Sequence, residues 1–531
     1  MFSYIKQLTL SLNKTSIYLA LANVFLVLTL IAANNLKLIP MRSGDFIFFS
    51  VLTLAFALYR PGWLFLFFSG SIVLENINLV PESFGIIVRP YQFFGGLLFL
   101  ALVVRFFSEK KRLILPKFYW IDFLPFFIPL LALLPIISSP NKLAGLKLII
   151  ILVSFCILYL LTKIYIQDIF DLKKILPFVF GSSLVVMLYA FWQNMRFAKG
   201  LNSFAVMPGR PNGTLPEADW LGLYLLLLLG ASYALIYYLT KYAKDAKKLG
   251  LIYVYLFLVF SALIISVSRS AWLGAIMMTT IYFLYVFTEF KFNYKTWQWR
   301  RIIRIKLSVL AVFLVSLFVV YFFHLTTFQL WNRAVSTGGM QKITISCQKN
   351  ITLPEKISSL EELAQYGCRH INLEEIEAEK NQGKFVTEIN RIDPNVSVRG
   401  EIYKKAWAEI KNHPIIGIGF ENIAGVLGQD GRGANFNSSN IFLEIWLGSG
   451  IIGLVAFIFF LGYIFLNAVR NIWQARDPEK AVFALFILLS GLGIIIFNLF
   501  NAGLLLGIFW VWLGIGSMLK KNDSVEEVQK M

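Results

Sequence analysis

Apolar residues along this chain come in long blocks separated by short polar stretches. Fourteen blocks fall at approximately 16–33, 45–59, 62–79, 90–107, 119–138, 145–162, 176–195, 218–239, 249–267, 270–288, 307–326, 441–466, 481–499 and 502–519. Most are about 18–22 residues long, the length a helix needs to cross roughly 30 Å of hydrocarbon. The second and third are short and predict a broken or re-entrant pair. Lys6 and Lys14 precede the first block as in a signal peptide, but no small-x-small cleavage site follows, so the block reads as an uncleaved helix. The pattern predicts an all-α polytopic membrane protein with about 14 (12–14) transmembrane helices.

One polar stretch interrupts the series. The chain therefore divides into an N-terminal membrane domain (1–326), an inserted and partly helical domain (327–440), a C-terminal membrane domain of three spans (441–519) and a tail (520–531). Inside the insert, Pro354 opens a stretch with Ile357, Leu360 and Ala364 on one helical face, ending near Gly367. A second amphipathic helix is expected from about Val398 to Asn412, with Ser397 as N-cap, Ile402, Trp407 and Ile410 buried together, and Pro414 as its stop.

Composition agrees with the pattern: 58% of residues are hydrophobic, 50 are Phe, and only 15% are charged, against roughly a quarter in soluble chains. A net charge of +19 in such a chain encodes orientation before it encodes a polyanion partner. With both termini cytoplasmic, the inside segments hold 27 of the 49 Lys and Arg and the short outside loops hold 9. The main inside clusters are Arg105, Lys110, Lys111, Arg112 and Lys117; Lys241, Lys244, Lys247 and Lys248; and Lys291, Lys295, Arg300, Arg301, Arg304 and Lys306. The insert then lies outside, with 13 basic and 13 acidic residues. Nucleic acid is not an expected partner; membrane lipid is.

Cys156 falls inside the sixth block and reads as a small buried residue. Cys347 and Cys368 both fall in the insert, where an oxidising compartment invites a disulfide; two unpaired thiols are the alternative. The three histidines, His324, His370 and His413, show no metal-binding spacing, and no Gly-rich phosphate loop follows a strand. No metal or cofactor is expected.

The outside face carries isolated arginines in tight settings: Arg89 before Pro90, Arg210 in a loop, Arg269 in a hairpin of a few residues, and Arg399 in the first turn of the second insert helix. Each alone is either a snorkelling interface anchor or a fork matched to phosphate oxygens. Gathered together, several could stabilise a leaving diphosphate without a metal.

These residues also carry a resemblance. Ser268-Arg269-Ser270-Ala271-Trp272-Leu273-Gly274 resembles the signature that opens the O-antigen ligase/polymerase region. Arg399 through Trp407, His413-Pro414, Gly417 and Gly419 resemble that family's large-loop motif. Asn440-Ile-Phe-Leu443 with Gly450 and Gly453 resembles the motif where the chain returns to the membrane, and Arg210-Pro-Asn-Gly213-Thr214-Leu resembles an upstream one. The resemblance implies an inverting glycosyltransferase of the bacterial inner membrane that takes glycan from undecaprenyl diphosphate on the extracytoplasmic face. It passes the glycan to a glycan, lipid or protein acceptor. Arg210, Arg269 and Arg399, with Arg89 as a further member, would then bind the diphosphate. Where the family has His before Asn, this chain has Ser439 before Asn440. The acceptor base must then come from elsewhere: His413, Glu444, Glu421 or Asp219. His413 also reads as a helix-terminal residue capping carbonyls. Two other readings stand beside the enzyme. One is a transporter or flippase of lipid-linked sugar or a small anion; the other is an inactive scaffold in polysaccharide assembly, which the missing histidine keeps open.

Overall fold

In hydrocarbon the backbone has no water to bond, so each apolar block satisfies its own N–H and C=O groups by coiling. The computed structural model describes residues 14–108, 116, 118–137, 139–207, 209–289, 297–326, 330, 340–349, 353–357, 362–371, 376–392, 394–429, 435–474 and 477–519. In chain order the N-terminal helices are α1 (Lys14–Asn35), α2 (Ser43–Tyr59), α3 (Pro61–Ser71), α4 (Pro90–Ser108), α5 (Lys142–Tyr165), α6 (Ile169–Ala198), α7 (Ala218–Tyr238), α8 (Ala246–Ser266), α9 (Arg269–Thr288) and α10 (Trp299–Phe322). The insert contributes strands β1 (Met340–Cys347), β2 (Lys356–Ile357), β3 (Cys368–His370) and β4 (Phe385–Ile392). It also contributes helices α11 (Pro394–Asn412) and α12 (Phe420–Leu427). The chain closes with α13 (Ile441–Gln474), α14 (Pro478–Asn498) and α15 (Gly507–Gly516).

Ten described helices are long and apolar enough to cross a membrane. The remaining four blocks are shorter or broken. After α3 the chain runs irregularly to Pro90 apart from one 3-10 turn. The fifth block splits into a 3-10 turn (Trp120–Phe126) and two short helices (Phe127–Leu131 and Leu133–Ile136). Pro125, Pro129 and Pro135 each remove a donor there and crowd the preceding turn. Side chains cap several starts: Asn141 accepts the Ala144 N–H, Asp168 that of Asp171, and Asp245 that of Lys248. Of the basic clusters, Lys110, Lys111, Arg112, Lys117, Lys291 and Lys295 lie outside the described residues.

The centre of the membrane part is α7, which is apolar all round and therefore surrounded by other helices. Small residues let its neighbours approach. A Cβ on Gly222 of α7 would sit 2.6 Å from the Ala271 Cβ of α9, and one on Gly493 of α14 would sit 2.4 Å from the Met278 sulfur of α9. Hydrocarbon gives no hydrophobic reward for helix pairing, so such close packing supplies it. As a result the N-termini of α7 and α9 and the C-terminus of α14 meet at one end.

The insert is not only helical. Its strands form one sheet in the order β2-β4-β1-β3, with β1 antiparallel to both neighbours and β2 parallel to β4. Ile343, Ile345, Cys347, Ile357, Leu363, Cys368 and Ile389 make its core, and Cys347 and Cys368, directly opposite in register, are disulfide-bonded. The helix expected from Pro354 is corrected: Ile357 lies in β2, among the described residues of that stretch only Glu362–Gln365 coils, and Gly367 ends that turn at φ +62°. Leu360 lies outside the described residues. The second expected helix begins one turn earlier, at Pro394, so Ser397 is within α11 and not its N-cap. Ile402, Ala406 and Ile410 are buried, whereas Trp407 is 48% exposed and meets the Trp446 ring edge-on.

Candidate functional site

The turn before α9 sets where its arginine stands. Val267 takes a left-handed backbone (φ +52°), and the Trp272 indole donates to the Leu263 carbonyl at 2.8 Å, so the motif tryptophan fastens α9 to α8. Ser268 is buried against Gly222 of α7. Arg269 follows as the first residue of α9.

Arg210 arrives from the loop before α7. Its Nη2 donates to Asp219 Oδ2 at 3.1 Å and its Nε to the Ser266 carbonyl at 3.3 Å. The guanidinium thus joins the start of α7 to the end of α8, beside the Arg269 turn. The rest of its motif is scaffold. Gln193 accepts the Gly213 N–H, Gly213 needs its positive φ of 57° above Val186, and the Thr214 hydroxyl donates to the Val73 carbonyl.

Arg89 is held by Glu75. Its Nε donates to the Glu75 carbonyl at 2.9 Å and lies 3.0 Å from the carboxylate, which also accepts the Tyr91 hydroxyl and the Gly507 N–H. Arg399, on α11, donates to the Phe500 carbonyl at 3.4 Å. One turn further, the Tyr403 hydroxyl lies between the carbonyls of Ser439 and Leu499, at 3.3 and 3.4 Å.

Ser439 and Asn440 form the turn into α13. Ser439 has φ +51°. The Asn440 side chain caps the helix by accepting the Phe442 N–H at 2.9 Å, and its amide donates to the Leu499 carbonyl at 3.2 Å. Glu444 reaches back and accepts the Ser438 N–H at 2.9 Å, so it sets the shape of this turn.

One segment, 499–507 between α14 and the start of α15, touches Arg399 or a close neighbour of Arg269, Arg210 and Arg89 in turn. Phe500 meets Arg399, and Asn501 donates to Ser270 beside Arg269 at 3.1 Å. A Cβ on Gly503 would lie 3.1 Å from the Trp220 ring, next to Asp219. Gly507 bonds the partner of Arg89. Sequence reasoning did not single this segment out. Its available signal was two amides, Asn498 and Asn501, in an apolar run.

Two expected residues stand elsewhere. His413 is exposed just past the end of α11, fourteen residues from Arg399 and so about 21 Å away along the helix. Its motif neighbours serve a different purpose. α13 is interrupted at Gly450 (φ +71°), and the 414–419 loop supplies bonds the break leaves open. The Ile418 N–H donates to the Leu447 carbonyl at 2.7 Å, and the Ile451 N–H donates to the Pro414 carbonyl at 3.1 Å. A Cβ on Gly450 would collide with the Ile415 carbonyl, and one on Gly417 with that of Leu447. Glu421 sits in the first turn of α12, beside Gly145 of α5. Among the described residues no group of three or more His, Cys, Asp or Glu could hold a metal ion.

Residues 254–458 match the family model of the O-antigen ligase. Over this segment the chain is similar to the O-antigen ligase family. The match supports a likeness to the O-antigen ligase/polymerase superfamily, whose members serve polysaccharide biosynthesis, and the ten long apolar helices fit a membrane protein. The matched segment runs from within α8 to within α13. It includes Arg269, Arg399, Ser439, Asn440 and Glu444 and leaves Arg89, Arg210 and the 499–507 segment outside. No curated protein and no solved structure matches the chain.

Proposed function

We propose that the protein transfers or polymerises glycan from an undecaprenyl-diphosphate-linked donor. The reaction takes place on the extracytoplasmic side of the bacterial inner membrane, with no metal taking part. The observation that carries this reading is that the 499–507 segment bonds Arg399, bonds Ser270 beside Arg269, bonds Glu75 that holds Arg89, and packs on Trp220 beside Asp219, the partner of Arg210.

In this reading Arg269, Arg210 and Arg399 bind the diphosphate. An acceptor hydroxyl attacks the anomeric carbon from the opposite face, and the bond from that carbon to the phosphate oxygen breaks. The guanidinium groups stabilise the charge that grows on the leaving oxygen. Arg89, held by Glu75, orients its neighbours. Asp219 takes the hydroxyl proton. It is the carboxylate paired with Arg210, and donor phosphate competing for that guanidinium would release it. Glu444 and Asn440 hold the Ser439 turn against Leu499, so the turn acts as a wall of the site and not as a base.

The test follows glycan transfer by purified protein in liposomes. Arg269→Ala and Arg210→Ala should each lower transfer by about 10²–10³, as loss of one charge-stabilising donor does. Asp219→Asn should lower it while Glu444→Gln and His413→Ala retain most of it. Undiminished transfer by both arginine variants overturns the assignment.

A further inference from the structure

The insert contains an open pocket of about 380 Å³ between β4 and the stretch that leads into β2, within the size range of small-molecule sites. The pocket owes its existence to the sheet register. Among the described residues β2 pairs with β4 only at Asn390 and Arg391, so 353–355 runs beside the first half of β4 without closing onto it.

Its walls differ from those of the arginine site. Glu355 and Glu388 bring two exposed carboxylates, Thr387 a hydroxyl and Asn390 an amide, while Phe385 and Pro354 give flat apolar surface. No lysine or arginine lines it, which disfavours a phosphate. Acceptors for several hydroxyl donors, one amide that can donate and accept, and an aromatic face for ring C–H groups make a set suited to a sugar ring. The carboxylates also suit an amino-substituted sugar.

We propose that this pocket is a subsite for a neutral or amino sugar of the glycan handled by the enzyme, a proposal that rests on the glycan-transfer reading. Its position fits that role. β4 ends at Ile392 and α11 begins at Pro394, so Asn390 and Arg399 lie at most about 20 Å apart along the chain. A glycan held at the arginine site could therefore lay a later sugar in the pocket. Occupancy would retain long chains between transfers and influence the length at which they are released.

The experiment uses full-length protein in detergent and, as probe, the phosphate-free oligosaccharide repeat released by mild acid from the polysaccharide of the same cells. Ligand-observed NMR should show saturation transfer to the sugar with wild-type protein and with Arg269→Ala. Glu388→Gln combined with Asn390→Ala should weaken binding about tenfold and alter glycan chain length in cells. The Cys347–Cys368 disulfide reports that the sheet has folded. If the double variant loses it, Glu355→Gln, outside the strands, takes its place with the same expectation. Wild-type protein that ignores the probe at millimolar concentration, or pocket variants that bind it fully, overturn the proposal. Loss of binding in the pocket variants together with full transfer by Arg269→Ala and Arg210→Ala would leave the subsite standing and remove the arginine assignment instead.

Discussion

α7 and α9 are packed so that a methyl group at Gly222 would crowd Ala271, whereas β1 and β3 are joined by a covalent bond, Cys347 to Cys368. The two regions solve different problems. Helices in hydrocarbon gain nothing from hiding apolar surface, so α7, α9 and α14 depend on small residues that bring backbones close. The sheet has a small apolar core, and units of that size gain from a covalent staple. It adds a polar knot: Glu379, its side chain only 6% exposed, accepts the Ser346 hydroxyl and pairs with Arg369 and Lys384. In the proposed reading the rigid helix ends hold the arginines, and the stapled sheet is joined to that site through α11, which follows β4 in the chain.

The contrast is broken most severely at Gly222. Gly222→Val should cost about 3 kcal/mol or more through overpacking, and the protein should fail to accumulate in the membrane. Normal accumulation would mean that α9 yields freely. Cys347→Ser should cost the insert alone about 3 kcal/mol by the chain-entropy relation for a loop of this size. Protease digestion would then cut the sheet while the helix core keeps its thermal midpoint. A matching fall in the core midpoint would show the regions to be one cooperative unit.

Smaller effects separate positioning from folding. Asn501→Ala removes the bond to Ser270 and should lower transfer about fivefold, the worth of roughly 1 kcal/mol, without changing the midpoint. The smallest effect is a pH dependence. Glu379 is held at about 2 by the Ser346 hydroxyl, then by Arg369 and Lys384, below its ordinary value. Because the folded value is the lower one, its contribution is complete above the unfolded carboxylate range near pH 4.5 and is lost as pH falls towards about 2. Protease sensitivity of the insert should rise over that window in wild type, and Glu379→Gln should remove the dependence.

The helices were legible because a span repeats one simple signal for about twenty residues. The sheet was not. β1 does alternate, with Ile343, Ile345 and Cys347 inward, but β2 is two residues long. Ile357, Leu360 and Ala364 share a helical face on paper while Ile357 is spent in a strand. Of the proposed site, Arg210, Arg269 and Arg399 draw notice in the sequence because a charge in an apolar setting needs a reason. His413 shows the opposite case. Its motif marks the loop that repairs the break in α13, and the glycines at 417 and 450 are required there by close approach and positive φ.

The 499–507 segment carries a consequence for how such a protein tolerates change. At Leu499 and Phe500 the bonds to Asn440 and Arg399 use peptide carbonyls, which every amino acid possesses. Saturation mutagenesis would find these two positions permissive, yet deleting either residue would rotate both acceptors away and shift Asn501 off Ser270. What the neighbours of this segment require is a length and a curve, and many side chains can supply both.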